Sequence, residues 1–188
     1  MATSKSQRIG IWVIAVVLTV GTIGSFFAII LANDNAKIDQ KQQDQTYQQQ
    51  IEEYKKQMAE QRKANRPLEG YEAAPFDKAS VTELKVETLK QGDGPELKAD
   101  STITANYFGW QADGTIFDST NKNGTVTPAD FGLDQVIKGW TEGLTGVKVG
   151  STVKLSIPSD KAYGDTDTSG MGQPTGPLIF IVEVKAMK

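Results

Sequence analysis

The chain contains no cysteine and no histidine among its 188 residues. The first absence excludes a thiol nucleophile, a thiolate zinc site, a structural disulfide and a lipoprotein anchor. The second excludes a Ser–His–Asp triad and an H-E-x-x-H metal site. Charge of one sign is also scarce: 20 Lys and Arg stand against 23 Asp and Glu, a net charge of −3. That balance supplies no basic patch, so no nucleic-acid partner is expected. Whatever chemistry the chain performs must rest on carboxylates, hydroxyls, aromatics and backbone, and no cofactor or metal is expected.

What is present changes character along the chain. Residues 9–32 form an apolar run with no charge, 24 residues long. As helix it would rise about 36 Å, enough to cross a hydrocarbon core of about 30 Å. A cleaved signal peptide has a shorter apolar core, about 7–15 residues, and the residues Ile30 to Asn33 lack the small-x-small pattern of a cleavage site. The run is therefore expected to be an uncleaved transmembrane anchor. Lys5 and Arg8 precede it without acidic company, which predicts a cytoplasmic tail over 1–8 and an extracytoplasmic remainder. Small residues at Gly21, Gly24, Ser25, Ala28 and Ala32 are spaced as in helix–helix contacts, although such residues are common in any membrane helix.

Residues 33–66 are rich in Gln, Lys and Glu and free of helix breakers, predicting a helical stalk. Tyr47, Ile51, Tyr54 and Met58 recur at spacings of four, three and four, a heptad seam about two repeats long. Asp44, Gln40 and Gln61 extend that seam as polar positions. Two readings stand: a solvated stalk, and a weak homodimer through stalk or anchor. Pro67 ends the helix, and residues 67–80 read as linker.

From Val81 the period becomes that of strands. Ile103, Ala105 and Tyr107 alternate with Thr102, Thr104 and Asn106; Val153, Leu155 and Ile157 alternate with Thr152, Lys154 and Ser156. Leu178 to Val182 is continuously apolar, which predicts a more deeply buried strand. Leu84–Leu89 and Thr115–Asp118 are weaker strand candidates, separated from the others by turns at Gly92–Pro95, Ala112–Gly114 and Asn123–Gly124. One short amphipathic stretch, Gln135 to Trp140, places Val136, Ile137 and Trp140 at helical spacing. The expected class is α+β, an antiparallel sheet packed on one short helix, preceded by the stalk and the transmembrane helix.

These residues, taken in order, resemble the FKBP-type peptidyl-prolyl cis–trans isomerases, or immunophilins. The resemblance covers 81–188 and rests on Tyr107-Phe108-Gly109-Trp110, Asp113 to Ser119, Gln135 to Trp140, Val147 to Gly150, Ile157-Pro158, Ala162-Tyr163-Gly164 and Leu178-Ile179-Phe180. It implies a half-wrapped sheet around the helix and an apolar cleft between them. Tyr107, Phe117, Val136, Ile137, Trp140, Tyr163 and Phe180 would line that cleft, with Trp140 as the floor beneath a proline ring. The Ile137 N–H and the Tyr163 hydroxyl would bond substrate carbonyls, and Asp118 would face the cleft, making Asp118, Tyr163 and Ile137 the expected catalytic groups.

Two departures from the family pattern stand out. The family's Pro-Phe-x-Phe is replaced by Pro128-Ala129-Asp130-Phe131, so one aromatic wall is expected to be missing. In the loop after Tyr163, Met171 is the apolar substitute. That loop begins D-x-D-x-S-G at Asp165, like a calcium loop, but its twelfth position is Gly176 rather than a bidentate Glu. The implied activity is a rotamase acting on X–Pro bonds of unfolded or nascent exported polypeptides, inhibitable by macrolides. Its competitors are a non-catalytic, membrane-tethered chaperone module of the same fold and a scaffold that assembles through its stalk.

Overall fold

The computed structural model describes the backbone of residues 40–188 and side chains from residue 46. The anchor expected over 9–32 and the tail before it lie outside these residues. Among the described residues no helix is long and apolar enough to cross a membrane.

Helix α1 runs from Gln40 to Ala64. It holds no Gly or Pro, and Arg62 and Lys63 complement the negative end of its dipole. The packing described below lies within Gln50–Lys188, one compact unit. On the seam Tyr47 is exposed, while Ile51, Tyr54 and Met58 are half-buried. Pro67 disfavours helical backbone at Arg66, and the chain turns extended there.

Eight strands follow: β1 Lys85–Lys90, β2 Thr102–Trp110, β3 Ile116–Ser119, β4 Asn121–Lys122, β5 Thr125–Val126, β6 Ala129–Gly132, β7 Thr152–Ile157 and β8 Leu178–Met187. Six form one antiparallel sheet in the order β1-β7-β8-β2-β3, with β6 also on β2. The first half of β2 pairs with β6, from Thr102–Gly132 to Ala105–Ala129; its second half pairs with β3, from Phe108–Ser119 to Trp110–Ile116. One long strand thus carries two partners end to end along one edge and bends the sheet around what lies on its concave side.

That side holds helix α2, Lys138–Leu144. It begins later than Val136 and Ile137 would require if they shared its first turn. Ile137 is the N-cap, with extended backbone (φ −60°, ψ 147°), so Val136 and Ile137 belong to the approach and only Trp140 to the helix. Gly139 permits the close seat on β7: a Cβ there would fall 2.3 Å from Cγ2 of Ile157. Around α2 lies the larger core, including Ile103, Leu133, Leu144, Val153, Leu155, Leu178, Val182 and Val184.

A second apolar cluster covers the convex side, and residues of the segment expected as a linker, 67–80, take part in it. Leu68, Phe108, Trp110, Ile179 and Ile181 are buried together, with Tyr71, Ala73, Phe76 and Ile116 packed on them. The segment 65–76 is a strap tied at both ends. Arg66 N–H donates to Asn121 O (3.0 Å) and Asn121 Nδ2 to Pro67 O (2.8 Å), while Phe76 N–H donates to Ala112 O (3.0 Å). The strap explains the apolar run in β8. Leu178, Phe180 and Val182 face the concave core, Ile179 and Ile181 face the strap, and both sides of the strand are dry. Each such side chain contributes about 1.5–3 kcal/mol when fully buried.

Candidate active site

Three aromatic rings meet at the indole of Trp140, which the first turn of α2 lifts into the concave face. Tyr107 from β2 stands edge-on to it at 5.3 Å and 89°, Phe131 from β6 at 5.4 Å and 65°, and Phe180 from β8 at 5.4 Å and 84°. Phe117 from β3 extends the set, edge-on to Phe180 at 5.5 Å. Such perpendicular contacts suit the ring quadrupoles and hold the walls upright. Gly109 makes the arrangement possible, because a Cβ there would lie 2.5 Å from Cε1 of Phe180 and 2.8 Å from Cζ of Phe117. Trp140 is 3% exposed, and its Nε1 donates to no acceptor among the described residues. A buried indole N–H without a partner is costly, and such groups gather at functional sites.

At the edge of this box sits Asp118. The Tyr107 hydroxyl donates to its Oδ2, Lys122 Nζ reaches its Oδ1 at 3.1 Å, and the Ser119 N–H donates to Oδ1 at 2.8 Å. Burial, and after it the neighbouring Asp118 carboxylate, pushes the Tyr107 phenol well above its ordinary value, so it stays a neutral donor. Tyr163 follows a short 3-10 turn, Ser159–Lys161, and is 43% exposed as a residue. Crowding at its hydroxyl end and then Asp118 raise its pKa too, keeping that hydroxyl protonated. Val136 and Ile137 are half-buried against the same core. As N-cap, Ile137 carries one of the amides that a helix start leaves without an intrahelical acceptor.

The structure therefore gathers Tyr107, Phe117, Trp140 and Phe180 in one ring cluster, with Asp118 bonded to Tyr107 and with Val136 and Ile137 packed beside it. Met171 is half-buried in the loop after Tyr163, whose hydrogen bonds run elsewhere. Asp167 accepts from Ser169 Oγ (2.6 Å) and from Gly172 N–H (2.5 Å), and Met171 N–H donates to Ser169 Oγ (3.1 Å). Partial burial opposes ionisation of Asp167, but the bonds from Ser169, Gly172, Gly170 and Gln173 outweigh it and hold its carboxyl below the usual range. The D-x-D-x-S-G spacing here builds a turn on backbone N–H groups.

Sequence reasoning missed Phe131. It reaches both Tyr107 (5.4 Å) and Trp140, two residues beyond Ala129, the position at which the family's other aromatic is absent. The signal was available in the Pro128-x-x-Phe131 spacing, with Phe131 paired to Ile103 across the sheet. Lys122 was also missed; only the fold of the β3–β4 bend brings it to Asp118.

A profile of the FKBP-type peptidyl-prolyl cis-trans isomerases matches residues 94–185. The FK506-binding protein of Neisseria meningitidis serogroup A is 42% identical over 101 residues, spanning 54% of this chain and 93% of that protein. FK506-binding protein 1 of Dictyostelium discoideum is 37% identical over 105 residues, spanning 56% and 98%. The crystal structure of FkpA from Escherichia coli superposes with a TM-score of 0.51 at 28% identity, over 89% of this chain and 81% of that one.

Proposed function

Since the chain belongs to the FKBP-type peptidyl-prolyl cis-trans isomerase family, we propose that its ring cluster seats the proline of an X–Pro segment on Trp140 and stabilises the twisted amide. An X–Pro bond turns over a barrier of about 18–20 kcal/mol and takes tens of seconds or more unaided. The planar amide owes its large dipole to resonance, and rotation abolishes that resonance. A dry aromatic cleft costs the polar planar state more solvation than the twisted one, and a cleft shaped to the twisted form favours it further. No bond to the protein forms, so no nucleophile or proton shuttle is needed.

The residues divide the work. Trp140, Tyr107, Phe131, Phe117 and Phe180 exclude water and hold the ring. The Ile137 N–H and the Tyr163 hydroxyl bond the carbonyls flanking the proline. Asp118, fixed by Tyr107 and Lys122, presents its charge to the rotating amide. What carries this reading is the buried Trp140 with its unpartnered Nε1 at the centre of three rings. Substrates would be Pro-containing unfolded or nascent exported chains, held near a membrane by residues 9–32, with the isomerase outside the cytoplasm. The names of two relatives state FK506 binding, and a macrolide ring would occupy this same cleft.

Cis–trans exchange on a short Leu-Pro peptide tests the proposal. The folded chain should accelerate exchange well above background, and Trp140→Ala should abolish most of that gain. A folded chain without acceleration would rule the mechanism out.

A further inference from the structure

Helix α1 ends against both loops that border the cleft. Arg62 Nη2 donates to Gly172 O at 2.5 Å. The loop also lies near the helix two turns earlier, since a Cβ on Gly172 would lie 3.9 Å from Cγ of Lys55. The loop so held begins at Tyr163 and is closed at its base by Gly176 N–H on Gly164 O (2.8 Å). Internally it is braced on Asp167, so a pull at Gly172 is transmitted to the base that carries Tyr163.

Three residues later, Asn65 reaches the opposite loop. It is 6% exposed, and its Oδ1 accepts from Lys122 Nζ at 2.5 Å, the same ammonium that bonds Asp118. Backbone bonds fix the register: Asn123 N–H donates to Ala64 O (2.8 Å), and Asn65 bridges Lys122. Lys122 is a flexible, strongly hydrated cation, and a second acceptor at a fixed point removes much of its freedom to leave Asp118.

Resting on the isomerase reading, we propose that the last turn of helix α1 is a positioning element of the cleft, Arg62 holding the loop that follows Tyr163 and Asn65 holding Lys122 on Asp118. A helix expected only as a stalk is thereby part of the catalytic unit. An isomerase trimmed to residue 80 would keep every cleft residue and lose both restraints.

The test uses the full chain, with Arg62→Ala, Arg62→Lys, Asn65→Leu and Lys122→Met assayed on a Leu-Pro peptide well below each unfolding temperature. Small misplacements of bound groups are costly, so Arg62→Ala should raise KM about fivefold with kcat within about twofold, and Arg62→Lys should recover part of the loss. Amide exchange should quicken over residues 165–176 and stay unchanged in β8. Asn65→Leu should lower kcat about threefold in the wild type and cost nothing further in a Lys122→Met background, because Asn65 acts through Lys122. Wild-type kinetics in both variants, or exchange rising uniformly with lowered stability, would overturn the proposal. An inactive wild type whose loop exchange still responds to Arg62→Ala would sink the catalytic reading of the cleft and keep the latch.

Discussion

A buried tryptophan lies against each face of the sheet, one from a strand and one from helix α2, and the two differ in what their indole N–H groups meet. Trp110, on the convex side, is 3% exposed, stacks on Phe108 at 5.1 Å and donates to Ala74 O at 2.9 Å. Trp140, on the concave side, is equally buried among edge-on rings and finds no acceptor among the described residues. Burial alone therefore does not distinguish a structural aromatic from a site aromatic. On the first face the indole is satisfied and the chain's own strap closes over it. The second keeps an unspent donor, a phenol near solvent and a carboxylate at its edge, the groups on which the proposed cleft rests.

The sharpest way to break this contrast is to exchange the roles. Trp140→Leu should lower kcat/KM about a hundredfold, whereas Trp110→Leu should cost about 3 kcal/mol of stability and leave kcat/KM of the folded protein within about twofold. Equal effects on activity would erase the distinction between the faces. A smaller change probes the strap alone: Leu68→Ala should destabilise by about 2–3 kcal/mol in urea unfolding, with unchanged kinetics below the transition.

Tyr107→Phe comes next. It removes the donor to Asp118 while keeping the ring, and should cost about 1.5 kcal/mol of stability with a loss of activity of about fivefold. The wild type should also lose stability as pH rises above the phenol's ordinary 10.0, because the folded state holds the proton that the unfolded chain releases. Tyr107→Phe should flatten that alkaline loss. The smallest effect expected is at Asp167. Its depressed pKa gives a contribution present above the ordinary carboxylate range and lost as pH falls below it. Asp167→Asn should mimic the acid state by quickening exchange in residues 165–176 and leaving the ring cluster intact.

Much of the concave face was legible in the sequence because its signals are local and repeated. Alternation in Thr102–Tyr107 and Thr152–Ile157 gave the inward positions, and the spaced motifs identified most of the rings that meet there. The convex face was harder to read. Proline, glycine and small residues between Pro67 and Ser80 have the composition of a linker, and no local pattern reveals that Leu68 and Phe76 find partners on strands far along the chain. One hint existed: Leu178 to Val182 lacks the alternation of a half-wet strand, which requires a cover on its second side. The helix start at Ile137 was misplaced because the spacing of Val136, Ile137 and Trp140 suits a helix whether or not the first two residues are inside it.

The strap also has a consequence for synthesis. Its apolar residues emerge early, but Ile179 and Ile181, against which they pack, lie in the final strand. Arg62 and Gly172 are likewise 110 residues apart in sequence. Until β8 is made, Leu68, Tyr71 and Phe76 have no complete surface to cover, and the loop closure that joins them must come late. A ribosome-bound intermediate of this isomerase would therefore display an apolar segment of its own to the machinery that guards unfinished chains.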